Sequence, residues 1–314
     1  MAHAAAAAKL CLKARPTPAQ LADRLRPVDG VWPDGLELYL AAADLASPAA
    51  LDTIVERLNG FALPAGFALL IEGPVDSLDG RDFDVTRQSE ADRLVVRRLA
   101  ELARRLGARA VNIHAIAPDE DVGRLTLDAR AALLERAVPF LAQFVELVGA
   151  AGAVPTIENM PPVLRMRRGG FSFTPIGMAS ADLCWLVERL PGLRIMPDTS
   201  HAGLYLTARY GAPAPRETWG EPLRRYLREL PEDRPDLLGY VQSVAPAIAN
   251  AQVSNAAGVL GEGLPYAKGD FDLDPVIAWL GRTAEHIVTE TIEPNSDDAV
   301  HMRDALRRMR AVLA

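Results

Sequence analysis

Short apolar runs alternate with segments of helical spacing along the whole chain, and this alternation most limits the folds open to it. The helical segments begin with Thr-Pro or Ser-Pro, as in T-P-A-Q-L and S-P-A-A-L, and end at glycine, as in R-L-N-G. We predict strands over residues 9–14, 35–40, 67–72, 108–114, 153–159, 193–198, 248–255 and 286–290. Because eight right-handed strand-helix units can close on themselves, the sequence predicts an α/β fold, a (β/α)8 TIM barrel.

An open, doubly wound sheet is the alternative arrangement of the same units. Such sheets usually carry a glycine-rich G-x-G-x-x-G turn, and no predicted strand is followed by one. The stretch after the sixth strand is longer than a normal loop, and P-R-E-T-W-G-E-P-L-R-R-Y-L-R-E-L within it predicts one or two extra helices. We therefore expect one domain over residues 1–314, with a helical insertion over about residues 207–247 near the barrel mouth.

The charge balance and the N-terminal sequence argue against a nucleic-acid or membrane partner. With 34 basic and 41 acidic residues the net charge is -7, whereas proteins that bind nucleic acid usually show a basic stripe. The apolar start lacks the basic segment of a signal peptide, and no run approaches the roughly 20 apolar residues of a membrane helix. We expect a cytoplasmic protein with a small-molecule partner, and neither a nucleic-acid nor a membrane partner.

The two cysteines, Cys11 and Cys184, lie far apart and form no C-x-x-C pair. They therefore suggest neither a disulfide framework nor a zinc knuckle. We expect both to be core residues.

Polar side chains follow most of the predicted strands at their carboxyl ends. They are Glu37, Glu72, His114, Glu158, Asn159, Asp198, Gln252, Asn255 and Glu290, with His201 in the turn after the sixth strand. In a barrel these ends meet at one mouth, where carboxylates repel each other unless some are protonated or a cation neutralises them. So many oxygens suit Mg²⁺, Mn²⁺ or Co²⁺, whereas Zn²⁺ favours more nitrogen and sulfur.

The order of these motifs resembles that of the xylose isomerase-like TIM-barrel superfamily of sugar isomerases and epimerases, which includes endonuclease IV. The motifs are I-E-N, D-T-S-H, Q-V-S-N followed by G-E-G-L-P-Y-A-K-G-D-F-D, and the T-E that ends the eighth strand. The resemblance implies one divalent metal ion (Mn, Mg, Co or Zn) bound by Glu158, Asp198, Gln252 and Glu290. It also implies that Glu158 and Glu290 are the catalytic pair that exchanges a proton beside a carbonyl.

A second set of residues is expected to contact the substrate. By the same resemblance, His201 of D-T-S-H would contact the substrate or a further metal. The other expected substrate-binding residues are His114, Glu72, Asn159 and Asn255.

The sequence departs from the family pattern at three positions. Gln252 stands where many members have histidine, Glu72 stands where endonuclease IV-like members have a histidine, and Leu264 stands where a histidine is common. These departures imply that a three-metal hydrolytic site is lost while the one-metal site is retained.

Some of these residues also have ordinary structural explanations. Glu37 is as readily a helix cap or an ion-pair partner, and His114 a core histidine bonded to a backbone carbonyl. The basic run at residues 165–168 would either clamp a substrate phosphate or carboxylate or remain solvated.

We therefore predict a metal-dependent isomerase or epimerase of a small sugar or hydroxy-keto acid, working by proton transfer through a metal-bound enediolate. A dehydratase with the same enolate chemistry, an endonuclease IV-like phosphodiester hydrolase and a non-catalytic ligand-binding barrel are the alternatives. The sequence leaves the oligomeric state open, a homo-oligomer included.

Overall fold

The computed structural model of the chain describes residues 7–28, 30–165, 170–211 and 216–314. The predicted anion clamp therefore falls largely outside the described residues, because residues 166–169 are not among them. Within the described ranges, no helix has the length and apolar character needed to cross a bilayer.

Eight parallel strands form a sheet that is nearly closed into a barrel. These are β1 (Lys9–Ala14), β2 (Gly35–Tyr39), β3 (Ala68–Glu72), β4 (Ala110–His114), β5 (Val154–Glu158), β8 (Arg194–Met196), β9 (Asn250–Val253) and β12 (His286–Thr289). Their order around the sheet is β8-β5-β4-β3-β2-β1-β12-β9. Isolated parallel bridges, Ile195 with Ile248 and Asp198 with Gln252, join the two edges. The predicted TIM barrel is confirmed.

Four short strands form two hairpins outside the barrel. These are β6 (Val163–Arg165) paired with β7 (Phe171–Phe173), and β10 (Asn255–Ala257) paired with β11 (Gly261–Leu264). Asn255 therefore begins a hairpin strand, whereas the sequence pattern placed it at the end of the seventh barrel strand.

The helices return the chain from each strand to the next. They are α1 (Pro18–Arg24), α2 (Pro48–Asn59), α3 (Glu90–Leu106), α4 (Leu127–Ala150), α5 (Ser180–Arg189), α6 (Thr199–Tyr210), α7 (Gly220–Glu229), α8 (Leu237–Ser243), α9 (Asp274–Leu280) and α10 (Val300–Leu313). Thr17 and Ser47 accept hydrogen bonds from backbone amides in the first turns of α1 and α2, as their Thr-Pro and Ser-Pro starts predict. Helices α7 and α8 lie in the predicted insertion.

The prediction that His201 lies in a turn was wrong, because α6 begins immediately after Asp198. The Asp198 carboxylate caps this helix and accepts a hydrogen bond from the His201 amide at 2.6 Å. The cap therefore joins two predicted site residues in one helical turn.

The barrel interior is filled by a small apolar layer separate from the main core. It consists of Cys11, Leu70, Ala110, Met196 and Val288. Because side chains alternate with a period of two along a strand, the next inward positions toward the carboxyl ends lie two residues further on. Those positions hold Lys13, Glu72, Asn112, Asp198 and Glu290. The alternation therefore stacks a polar layer directly on an apolar one at the mouth.

Candidate active site

Four side chains at the barrel mouth each keep one buried oxygen that has no hydrogen-bond partner. These atoms are Glu158 Oε1, Asp198 Oδ2, Gln252 Oε1 and Glu290 Oε2. Glu37, which contacts Gln252, has a fifth such oxygen, Oε2. Buried polar atoms in folded proteins are nearly always hydrogen-bonded, so these exceptions require an explanation. In each residue, the other polar side-chain atom is held by the protein.

Glu158 is held from β4. Its Oε2 accepts a hydrogen bond from Asn112 Nδ2 at 2.6 Å, and Asn112 Oδ1 accepts one from Thr156 Oγ1 at 3.2 Å. Glu158 Oε1 lies 3.0 Å from His201 Nδ1, but that nitrogen has its hydrogen bond with the Asn159 carbonyl oxygen at 2.9 Å. One oxygen of Glu158 is therefore fixed and the other stays available.

Asp198 is fixed through its neighbour across the sheet. Asn159 Oδ1 accepts a hydrogen bond from the Asp198 amide at 2.7 Å, and Asn159 Nδ2 donates to the Asp198 carbonyl at 3.1 Å. With Oδ1 engaged at the start of α6, only Oδ2 of Asp198 is left without a partner. Asn159 therefore positions Asp198 and has its own amide occupied.

Gln252, on β9, is oriented by two glutamates on β2 and β3, which are adjacent to each other in the sheet. Its Nε2 donates to Glu37 Oε1 at 2.9 Å and to Glu72 Oε2 at 2.8 Å. Because both contacts are to carboxylate oxygens, the amide must present its NH₂ group to them and its oxygen elsewhere. Glu37 is thus an orienting partner for Gln252, deep in the barrel.

Lys13 and His114 complete the polar layer. The Lys13 ammonium contacts both Glu72 Oε2 and Glu290 Oε1. His114 Nε2 lies 3.2 Å from Glu72 Oε1 and 3.7 Å from Glu158 Oε2. These two cationic or potentially cationic groups lie between carboxylates of three different strands.

The electrostatics follow from this arrangement. Burial acts to raise the pKa of Glu72, but Lys13 and His114 outweigh it and lower that pKa to about 2. For Asp198 burial prevails over the attraction of His201, and the pKa rises to about 6. Burial likewise raises the pKa of Glu290, against the opposing effect of Lys13. The pocket therefore holds carboxylates of very different proton affinity side by side.

The pKa values of the two histidines are raised, although burial alone would lower them. Burial lowers the pKa of His201, but Asp198, Glu158 and Glu262 together raise it well above its usual value. Burial also acts to lower the pKa of His114, but Glu158 and Glu72 raise it. Both imidazoles are therefore poised to donate hydrogen bonds.

The residues present fit a divalent cation. Two groups of three side chains could each hold a cation, because the ligand atoms within each group lie within 4.8 Å of one another. One group is Glu72, His114 and Glu158, and the other is Glu158, Asp198 and His201. Glu290 is in neither group, and its Oε1 contacts the Lys13 ammonium. Carboxylate and amide oxygens with an imidazole are the donors that Mn²⁺, Mg²⁺ and Co²⁺ accept. The unpartnered oxygens described above supply the same chemistry.

A cavity of about 430 Å³ opens in front of these groups. Its lining includes polar groups, among them Lys13, His114, His201 and Glu290, and an apolar wall that includes Met160, Leu164 and Ile292. Cavities that bind small molecules commonly have this size and this mixture of apolar walls and a few polar groups.

Neither a protein-family model nor a curated protein sequence matches this sequence. Solved structures match it over nearly its whole length. A D-tagatose 3-epimerase-like protein is 18% identical, with a TM-score of 0.64 over 96% of this chain and 97% of its own. The chain has the fold of the xylose isomerase-like TIM barrels.

Two further structures show how varied proteins with this fold are. The 3-keto-D-glucoside 4-epimerase from E. coli, in its apo form, is 15% identical, with a TM-score of 0.62 over 97% of this chain and 99% of its own. The AP endonuclease, family 2, from Brucella melitensis is 14% identical, with a TM-score of 0.58 over 93% of this chain and 97% of its own. The xylose isomerase-like fold expected from the motif order is confirmed, and the reaction has to be inferred from the site.

Most of the predicted site residues converge at this mouth of the xylose isomerase-like barrel. Asn255 does not face the cavity: its Nδ2 donates to the carbonyls of Tyr266 and Phe271, and its Oδ1 accepts from the Ala256 amide at 2.9 Å. It therefore holds the loop after β11. Its role as a substrate ligand stays a prediction.

The sequence reasoning missed Lys13, Asn112 and Glu262. Lys13 and Asn112 lie two residues beyond inward-facing apolar residues of β1 and β4, so the period-two pattern could have identified them. Glu262 Oε1 lies 3.3 Å from His201 Nε2, but it comes from the β10–β11 hairpin. Nothing in its local sequence marks that contact.

Proposed function

We propose that this chain is a divalent-metal-dependent isomerase or epimerase of a small sugar or hydroxy-keto acid. One observation carries the proposal: each of the four residues to which the motif order assigns the metal, Glu158, Asp198, Gln252 and Glu290, keeps a buried oxygen without a hydrogen-bond partner. Each buried oxygen without a partner costs on the order of 1–3 kcal/mol. We expect one cation between these side chains to satisfy the four oxygens. This requires the Glu290 carboxylate to turn from Lys13, because Glu290 lies outside both groups of ligand atoms that are already within 4.8 Å of one another.

Glu158, Asp198, Gln252 and Glu290 would hold this cation. When bound, a divalent ion supplies Lewis-acid polarisation of a carbonyl oxygen and stabilises the negative charge that develops on it. The hydrogen bond from Asn112 to Glu158 and the hydrogen bond from the His201 amide to Asp198 fix the ligand side chains beforehand.

Glu158 and Glu290 would move the proton. A carboxylate placed beside the carbon next to a carbonyl can remove its proton, and its partner can return one to the same carbon or its neighbour. Glu158 is restrained by Asn112, and Glu290 is restrained by the Lys13 ammonium. Burial raises the pKa of Glu290, and a carboxylate with a raised pKa is a better proton acceptor than one in water.

His114 and His201 would bind the substrate oxygens, since both imidazoles line the cavity with raised pKa values. The apolar wall would limit the access of water to the reacting carbon. The similar structures include a D-tagatose 3-epimerase-like protein and a 3-keto-D-glucoside 4-epimerase, which supports a sugar as the substrate class.

A phosphodiester hydrolase is the second candidate, and one observation favours it. Glu72, His114 and Glu158 form a second group of possible metal ligands beside the first, as a site with more than one metal requires. Against this candidate, the Lys13 ammonium already contacts Glu72. The number of metal ions per chain distinguishes the two candidates.

The test is proton exchange in D₂O with Mn²⁺ and a panel of ketoses and hydroxy-keto acids. We expect deuterium to enter the carbon beside the carbonyl of at least one compound. In Glu290→Gln the exchange rate should fall by about 10²–10⁴-fold, the usual contribution of a general acid or base. Bound Mn²⁺ is measured in parallel, so that a loss of metal is not mistaken for a loss of the proton carrier.

Glu90→Gln is the matched control, because Glu90 lies at the exposed start of α3 and the substitution is the same. Its exchange rate should equal that of the unmodified protein. Exchange that continues unchanged in both Glu290→Gln and Glu158→Gln would remove the proposed acid/base pair.

A further inference from the structure

Lys13 is a buried cation in the candidate active site. Its side chain is 8% exposed, and its ammonium contacts one carboxylate oxygen of Glu72 and one of Glu290. The same ammonium lies 5.1 Å from the centre of the Tyr39 ring. Three groups from β2, β3 and the end of β12 therefore hold this charge in one position.

The ammonium contacts one of the two possible metal-ligand groups through Glu72. His114 Nε2 is 3.2 Å from Glu72 Oε1 and 3.7 Å from Glu158 Oε2, so the imidazole and both carboxylates face a common space. Glu158 also belongs to the other group, with Asp198 and His201. The mouth thus has ligands for two neighbouring cations that would share Glu158.

We propose that the Lys13 ammonium takes the place of a second divalent cation beside Glu72 and limits the site to one metal ion. This inference rests on the proposed function for the first ion. The buried Glu72 carboxylate needs a positive neighbour, and Lys13 supplies it permanently from the chain itself. A divalent ion at the group of Glu72, His114 and Glu158 would be repelled by this ammonium.

A variant without the charge at position 13 should bind a second cation. In Lys13→Met the side chain stays unbranched and is one heavy atom shorter, and Glu72 and Glu290 lose their shared positive partner. Repulsion among the remaining carboxylates then favours either protonation or a second cation. Because Glu72, His114 and Glu158 already present three ligand atoms within 4.8 Å of one another, the second cation has a site.

The experiment counts Mn²⁺ per folded chain by elemental analysis after removal of free metal, and records the electron paramagnetic resonance spectrum. We expect one uncoupled Mn²⁺ in the unmodified protein. Lys13→Met should bind two, with a spin-coupled spectrum because Glu158 is shared. Lys13→Arg keeps the charge and should bind one. Lys13→Met combined with Glu72→Gln should also return to one, which a general loosening of the fold would not produce.

Two outcomes overturn the inference while leaving the proposed function intact: one Mn²⁺ in folded Lys13→Met, or a coupled pair in the unmodified protein that still exchanges deuterium. If Lys13→Met does not fold, Lys13→Gln replaces it, and the spectrum of the unmodified protein remains decisive by itself. An unmodified protein that binds no Mn²⁺ overturns the proposed function and, with it, this inference.

Discussion

Asp182 and Asp198 are two fully buried aspartates with different surroundings. Burial is the largest cause of a pKa of about 6 in both, opposed by Arg130 at Asp182 and by His201 at Asp198. Asp182 has both oxygens bonded, Oδ1 to Arg130 Nε and Oδ2 to the Gly177 amide, each at 2.8 Å. Asp198 keeps Oδ2 without a partner.

The comparison separates a structural carboxylate from a candidate ligand. A raised pKa and complete burial are common to both aspartates, so neither property identifies a site. Asp182 ties α4 and α5 to the turn at Gly177, where an added Cβ would come within 2.5 Å of the Ala115 carbonyl oxygen. The unpartnered oxygen is the difference, because only that atom remains available to a ligand.

The largest expected effect is at Asp198. Asp198→Asn retains an oxygen for the cap of α6 but removes the negative charge from the proposed ligand set. We expect kcat/KM for the exchanging substrate to fall on the order of 10³-fold, because charge stabilisation in the reaction is weakened. Steady-state kinetics and Mn²⁺ titration measure the effect. Asp182→Asn, the matched control, should leave Mn²⁺ stoichiometry unchanged, and equal losses in both variants would erase the distinction.

The second effect is a loss of stability, and not of metal binding, when Asp182 is replaced. Asp182→Ala leaves the Arg130 guanidinium and the Gly177 amide without their partner. We expect the free energy of unfolding to fall by about 3 kcal/mol, as for other broken buried pairs. Urea denaturation measures the change. If stability is unaffected while metal binding is lost, then Asp182 belongs to the site and the comparison fails.

The third effect is a dependence of Mn²⁺ affinity on pH. Asp198 must be ionised to bind a cation, and its pKa of about 6 lies above its ordinary value of 3.8. Mn²⁺ affinity should therefore fall about tenfold for each pH unit below 6, which thermal shifts with and without Mn²⁺ can follow. A shift in Tm that is the same at pH 5 and pH 7.5 would contradict the ligand role of Asp198.

The raised pKa of Asp198 also determines whether the stability of the metal-free protein rises or falls with pH. An aspartate that binds its proton more tightly when folded stabilises the fold at low pH, and this stability is lost as pH rises from about 4 through 6. The raised pKa of Asp182 likewise makes the folded protein less stable as pH rises. Asp198→Asn should remove only the Asp198 share of this pH dependence.

The smallest effect is expected at Glu262. Its carboxylate lies 3.3 Å from His201 Nε2, but its side chain is 45% exposed, so solvent screens the interaction. Glu262→Gln should change kcat/KM only a few-fold, measured by the same exchange assay. A loss as large as that of Asp198→Asn would extend the site to the β10–β11 hairpin.

Much of the fold was predictable because its signals are local. The proline-containing starts of α1 and α2 and the alternation of apolar runs with helical segments predict eight strand-helix units. The clustering of Glu158, Asp198 and Gln252 at one mouth follows from the barrel itself, since parallel strands present their carboxyl ends together. The helical position of His201 was missed because Asp198, a candidate metal ligand, also acts as a helix cap.

The sequence by itself determined the barrel and the position of Glu158, Asp198, Gln252 and Glu290 at its mouth, because strand alternation and helix caps are properties of neighbouring residues. Only the tertiary structure decided which of those oxygens remain free. Gln252 is oriented by Glu37 across 215 positions of the chain, and Lys13 meets Glu290 across 277. Such partners are set by the closure of the barrel, and no local pattern encodes them.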